Sequence, residues 1–309
     1  LCPREIQCMK EEELMSKKTS EQSRADFSMT SDEYQGLWDA DLAGGYPANH
    51  FAFRQVISAL REEPRGDDSS TPRMLEVGIG HGNAVSIFSS AGYEFWGLDN
   101  DPTMVRKSQG KMEELGFPED RVKWGDIEDS LSLSKFDSGT GFDSVLAMGV
   151  LPHVTHERVA LENMRQLTRP GGTVFVECRN KLFSLVTFNR FTYEFIMDDL
   201  LGDVEGPVRD AADEFLKTRV DIDVPAKPEG HEPKYHNPLT IDQVFLDAGF
   251  TNIQIRPFHY HAAMPRFEKT LGEAFRAESI TLENEPSGWR GLFLCSAFVV
   301  QAHRPLDLY

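Results

Sequence analysis

Residues Met74 to Ala84 read MLEVGIGHGNA, and this stretch decides the fold. Met74-Leu75-Glu76-Val77 is a short apolar run of strand character, with one acidic residue a step before its end. Gly78, Gly80 and Gly82 follow at alternate positions, and a helical pattern begins near Asn83. A strand running through glycines into a helix leaves unpaired N–H groups at the helix start. With no side chains in front of them, a ligand can approach the backbone. The dinucleotide fingerprint G-x-G-x-x-G needs glycine at 83, where Asn83 stands, so a nicotinamide dehydrogenase is disfavoured. The pattern present is E-x-G-x-G-x-G. Glycine turns also form for structural reasons alone, so the neighbouring segments must decide what this one does.

Outward from the turn the chain alternates strand and helix. Strand one ends at Val77, and a helix over Asn83 to Ala91 stops at Gly92. Phe95 to Leu98 reads as strand two, closed by Asp99. Pro102 to Leu115 is helical, with proline in the first turn where its missing N–H does no harm. Arg121 to Trp124 is strand three, Phe142 to Met148 strand four, His156 to Leu167 a helix, Arg169-Pro170-Gly171-Gly172 a turn, and Thr173 to Cys178 strand five. Units of this kind predict an α/β fold, a parallel sheet with helices on both faces. Residues 180–237 interrupt the alternation as an insertion, helical and aromatic-rich at first, then acidic and proline-rich. A helix over Thr240 to Ala248 and strands over Asn252 to Phe258 and Leu292 to Gln301 complete the pattern.

Before the turn, Tyr34, Leu37 and Trp38 are spaced for one helix face, and Phe53, Val56, Ile57 and Leu60 for another. These two helices either pack on the main domain or form a flap over a ligand site. The expected organisation is a tail over 1–25, a helical extension and linker over 26–72, and a main domain over 73–309.

With 309 residues, 40% of them hydrophobic, the chain can bury a sizeable core. Its net charge of −18 repels phosphate backbones and anionic lipid, so nucleic acid and membrane are not expected as partners. Four cysteines, Cys2, Cys8, Cys178 and Cys295, show no paired spacing for zinc, and no metal site is expected. The N-terminal residues lack the apolar stretch of a secretory signal, and a reducing cytoplasm is the expected location.

Sheets of this type bind ligands beyond the carboxyl ends of their strands. Asp99, seventeen residues after Gly82, can accept bonds from two ribose hydroxyls. Asp126-Ile127, after strand three, can hold an amino group and flank a flat ring. Met148-Gly149-Val150-Leu151-Pro152-His153 follows strand four. Helix capping is the alternative role for both aspartates.

Taken together, the set resembles the class I S-adenosylmethionine-dependent methyltransferases, closely over residues 73–178 and more loosely to 301. The resemblance rests on Glu76-x-Gly78-x-Gly80-x-Gly82, Asp99, Gly125-Asp126-Ile127, the run Phe142 to Met148, and Arg169 to Gly172, in order. It implies a Rossmann-like, seven-stranded, mostly parallel sheet, with one antiparallel strand in the final hairpin. It also implies S-adenosylmethionine as cofactor, bound by Glu76, Gly78, Gly80, His81, Gly82, Asp99, Asn100, Met104, Asp126, Ile127 and Met148. The expected function is methyl transfer to O, N or C of a small-molecule acceptor. A protein methyltransferase and a non-catalytic S-adenosylmethionine-binding partner subunit stay open as alternatives, as does a homodimer.

An acceptor hydroxyl or acidic carbon calls for a general base. His153 is the first candidate, because strand four lines the acceptor pocket in this family; His236, closing the insertion, is the second. Each has a structural alternative as a capping, core or loop histidine. Arg179 and Asn180, with Glu177, end strand five and can meet a polar acceptor group or form salt bridges. Phe188, Tyr193 and Tyr235 suit an aromatic pocket wall, or the insertion's own core. The insertion holds twelve acidic and seven basic residues over 181–237, which argues against a polyanionic acceptor.

Overall fold

The computed structural model describes residues 48–62, 71–136, 139–284 and 288–306. The helix expected around Tyr34 to Trp38, the tail and most of the linker lie outside them. The sheet has seven strands: β1 (Arg73–Val77), β2 (Glu94–Asp99), β3 (Val122–Trp124), β4 (Phe142–Ala147), β5 (Thr168–Arg179), β6 (Thr251–Tyr260) and β7 (Cys295–His303). Their order is β3-β2-β1-β4-β5-β7-β6, and β7 alone runs antiparallel to its neighbours.

Side-chain alternation along the strands divides the interior into two layers. Leu75, Val145, Val174, Val176 and Val300 face one core, against Leu161 and Met164 on one covering helix and Phe245 on another. Met74, Leu146, Phe175 and Val299 face the opposite core, against Phe51, Val56 and Ile57 of α1 (Ala48–Glu62) and Val85 and Phe88 of α2 (Asn83–Ser90). Both faces are covered, which is why the inner strands read as nearly continuous apolar runs rather than alternating ones. Of the two roles considered for the second N-terminal helix, packing is the one observed for α1. Phe53, Val56, Ile57 and Leu60 are all buried, and Glu62 ties its end to Arg256 of β6 at 2.6 Å.

Two boundaries differ from expectation. The Arg169-Pro170-Gly171-Gly172 turn is drawn into the start of β5. Gly171 N–H donates to Arg304 O at 3.0 Å and Arg304 N–H to Gly172 O at 2.9 Å, so the chain after β7 extends the pairing past the glycines. The last strand begins at Cys295 rather than Leu292, because Trp289–Leu294 coils into a short helix. A continuous apolar run does not by itself distinguish those states.

The insertion is helical in pieces: Arg190–Glu194, a wider π-helical turn over Phe195–Leu200, and Pro207–Lys217. It is stitched back to β5 at its end. Lys181 N–H donates to His236 O at 2.9 Å, and His236 N–H to Arg179 O at 2.8 Å.

Candidate active site

The glycine turn is held by the strand beside it. Gly78 and Ile79 donate their N–H groups to Leu98 O at 2.8 and 3.0 Å, which folds the turn over the end of β2. Gly78 has φ +69°, and a β-carbon there would stand 2.5 Å from Val150 Cγ2. Glycine is thus required twice at this position, for the backbone conformation and for the close approach of the loop after β4. Ser108, on helix α3 (Pro102–Glu114), fixes the turn from the other side by donating to Gly80 O at 2.6 Å. Sequence reading missed Ser108; nothing in the motif spacing points to it.

Asp99 is buried at the end of β2. Its Oδ2 accepts the Gly80 N–H at 2.9 Å and its Oδ1 accepts the Asp101 N–H at 2.9 Å. Each carboxylate oxygen keeps a second lone pair for a ligand hydroxyl. Helix capping, the alternative weighed for Asp99, belongs instead to Asp101, whose side chain accepts the Thr103 N–H at 2.7 Å.

Asp126 turns its loop by accepting the Glu128 N–H at 2.9 Å. Glu128, a residue that no motif marked, accepts the N–H groups of Thr155 and His156 at 2.9 and 2.6 Å. Partial burial works to raise its pKa, but these bonds and the His156 ring outweigh it and hold the carboxyl below its ordinary value. Glu128 thereby ties the loop after β3 to the loop after β4.

These loops enclose a cavity of about 250 Å³ at the carboxyl ends of β1, β2, β3 and β4. Asp99, Asn100, Asp126, Ile127, Met148 and His153 are in its wall, together with Gly78. Glu76 lies behind the turn, 4% exposed, and its Oε2 has no partner within the chain. Burial, and next the charge of Asp99, push its pKa well above the ordinary carboxylate value. An orphaned buried carboxylate suits a ligand that brings a donor or positive charge. The wall thus matches S-adenosylmethionine part by part: hydroxyls at Asp99, a flat ring with an amino group at Asp126 and Ile127, positive charge toward Glu76.

Four other residues assigned to the cofactor, Gly80, His81, Gly82 and Met104, are not in this wall. Gly80 and Gly82 form the turn's back. His81 is exposed, with Nε2 3.4 Å from Lys107 Nζ, and Met104 is on α3. A larger cavity of about 430 Å³, lined by Ser130, Gln166, Pro170 and Arg304 among others, opens at the opposite, amino ends of β4 and β5 and contains none of the residues expected to bind the cofactor.

His153 stands at the mouth of the smaller cavity. Partial burial, followed by the charges of Arg179 and His231, lowers its pKa. The ring is therefore neutral at neutral pH, able to take a proton.

The remaining acceptor-side expectations fare differently. Asn180 is engaged within the chain: its amide donates to Leu292 O at 2.6 Å and Cys295 O at 2.8 Å, and its Oδ1 accepts the Leu182 N–H at 3.0 Å. Both amide hydrogens are used within the chain. His236 is buried with Nε2 3.2 Å from Glu157, and it holds the insertion's end rather than swinging over the cavity. The Tyr193 hydroxyl is bound to Asp213 at 2.5 Å within the insertion, and Phe188 is 45% exposed. Arg179 lies over the Tyr235 ring at 6.0 Å. None of these six residues is in the cavity wall.

Cys178 and Cys295 are free and buried, packed as small apolar groups. No helix among the described residues is long and apolar enough to cross a membrane.

A family model described as a methyltransferase domain matches residues 75–174. A ubiquinone biosynthesis O-methyltransferase from Methylobacterium nodulans is 30% identical over 108 residues, 35% of this chain and 41% of the relative. The same enzyme from another Methylobacterium strain matches to the same extent. The match thus spans less than half the length of these relatives. Among solved structures, a Haloferax volcanii complex of the Trm112 methyltransferase activator with a putative methyltransferase gives a TM-score of 0.49 at 14% identity, over 92% of this chain and 98% of that one.

Proposed function

We propose that this chain, whose residues 75–174 are a class I S-adenosylmethionine-dependent methyltransferase domain, methylates a hydroxyl oxygen of a small-molecule acceptor. One observation carries the donor side of the reading. Residues from four separated motifs, Gly78, Asp99, Asp126 with Ile127, and Met148, meet in the wall of a single cavity. The choice of oxygen is supported by the partial similarity to O-methyltransferases over 108 residues and by His153, a neutral imidazole at the cavity mouth.

When bound, the donor supplies a methyl carbon on a positively charged sulfur, open to in-line displacement by an acceptor lone pair. The chain's own contribution is placement. Asp99 and the turn it braces hold the sugar end; Glu76 compensates positive charge. Asp126 and Ile127 would hold the ring, and the end of β4 with His153 lies at the cavity's mouth. Alignment of this kind is the larger part of what such a reaction needs. His153 accepts the hydroxyl proton as the new carbon–oxygen bond forms. The acidic field of the chain adds a long-range preference for a cationic donor over an anionic one.

The test is transfer itself. Full-length protein is incubated with donor labelled in its methyl group and a small-molecule extract. Label recovered in a neutral organic fraction supports the reading. Label recovered only in protein, or hydrolysed donor alone, contradicts it.

A further inference from the structure

The turn that carries His153 is gripped from two sides. On one side Glu128, in the wall of the cavity, takes the N–H groups of Thr155 and His156. On the other stands Lys234, near the end of the insertion. Its backbone N–H donates to Pro152 O at 2.9 Å. Its Nζ donates to Thr155 O at 3.0 Å and pairs with Glu157, on the helix that follows, at 3.2 Å. One residue thus spans the turn, its main chain at the position before His153 and its side chain beyond it. Leu151, Pro152 and Val154 are buried, so His153 alone of these four is directed outward.

The same fastening brings a second imidazole to the mouth. His231, three residues before Lys234, has its ring centroid 5.6 Å from that of His153. Its neighbour Glu232 is held by buried Arg190 at 2.8 Å. Arg190 therefore ties this segment to the insertion, and Lys234 ties it to the turn. Charged groups stand on each element packed here: Arg179 ends β5, Glu128 follows β3, and His156 and Glu157 follow the turn. The insertion adds His231 and Lys234. Arg179 and His231 are the two whose charge reaches the His153 imidazole. The bond from His236, with Lys234 beside it, keeps the Glu157 carboxyl below its ordinary value, so the anion that holds Lys234 is present at neutral pH.

We propose that Lys234 is the positioning residue of the acceptor side: it fixes the turn that presents His153 at the cavity mouth and holds His231 against that imidazole. This rests on the methyl-transfer reading above, in which His153 takes the proton. A short turn held at both ends has little freedom, and a base placed in advance needs no reorganisation during transfer. Lys234 is not in the cavity wall and acts through His153.

The test needs no acceptor. Full-length protein labelled in its nine histidines is titrated by NMR, with His153→Gln and His231→Asn identifying the two signals. In wild type, His153 is expected to titrate below about 6.5 and to show a cross-ring nuclear Overhauser contact with His231. In Lys234→Met that contact is lost and the His153 midpoint rises toward about 6.5. Lys234→Arg, which keeps the charge and reaches the same acceptors, restores both. His231→Asn alone raises the midpoint, and adding Lys234→Met to it changes little, because the two act through one contact. Affinity for S-adenosylhomocysteine, read by calorimetry, stays within about twofold of wild type in every Lys234 variant. Lys234→Gln, a milder change, shifts His153 in the same direction and decides the matter if Lys234→Met does not fold.

A wild type without the cross-ring contact, or a His153 midpoint that the folded Lys234 variant leaves in place, overturns the proposal. An equal rise on adding Lys234→Met to His231→Asn also overturns it, by reducing Lys234 to a nearby charge. So does a loss of S-adenosylhomocysteine affinity in Lys234→Met, which would make Lys234 a prop for the whole site. Wild type that binds no S-adenosylhomocysteine overturns the donor reading instead, and the histidine titration then stands apart from it.

Discussion

Asp99 Oδ2 accepts the Gly80 backbone N–H at 2.9 Å, joining the acidic end of β2 to the middle of the glycine turn. The residue proposed to meet the ligand's hydroxyls therefore also sets the position of the turn's backbone. Asp99→Asn keeps the shape but leaves a single side-chain acceptor for two backbone donors, Gly80 and Asp101. Donor affinity is expected to fall about 10–100-fold, the range for losing a charge-assisted hydrogen bond. Equilibrium dialysis with labelled S-adenosylmethionine measures it; affinity within twofold of wild type would remove Asp99 from the site.

Glu76 predicts a conflict between stability and binding. Burial raises its pKa in the folded state, so the folded chain holds that proton more tightly than the unfolded chain does. Stability from this group is then highest at low pH. It declines as pH rises from the unfolded value, about 4.3, toward the raised folded value. Glu76→Gln removes the decline. The ligand-free variant should unfold at a higher temperature than wild type at pH 7, while the rise in midpoint on adding S-adenosylmethionine shrinks. Scanning calorimetry with and without the donor reads both; a lower ligand-free midpoint would contradict the assignment.

His153 predicts the acid limb of the rate profile. Its pKa is lowered by partial burial and by the charges of Arg179 and His231. The neutral, proton-accepting form therefore persists below the ordinary histidine value of about 6.5, and turnover is lost only as pH falls through the lowered value. His153→Ala should reduce turnover about 10²–10⁴-fold, the usual worth of a general base. It should also abolish that limb and leave donor affinity near wild type. A limb that survives the substitution would assign the base elsewhere.

The meeting of Gly78, Asp99, Asp126 and Met148 in one cavity wall was legible in the sequence because these groups are local. Gly78, Gly80, Asp99, Asp126 and Met148 sit at strand ends, and strand ends can be counted along a chain. The two layers of the sheet followed from the same short apolar runs. What stayed hidden depends on contacts between distant segments. Ser108 braces the turn from a helix 28 positions on, and Glu128 reaches Thr155 and His156 across two loops. Asn180 and His236 read as ligand groups because polar residues after a strand often are. Their partners, Cys295 and Glu157, are 115 and 79 positions away. The helix that replaces the start of the last expected strand, Trp289–Leu294, is apolar enough for either state, and packing chose.

Titration of the full-length chain with S-adenosylhomocysteine in a calorimeter at pH 7 tests the central claim most directly. The cavity formed by Gly78, Asp99, Asp126 and Met148 predicts saturable binding of one ligand per chain, lost or much weakened in Asp99→Asn. Absence of saturable heat with correctly folded wild-type protein, or binding that Asp99→Asn leaves unchanged, would contradict it.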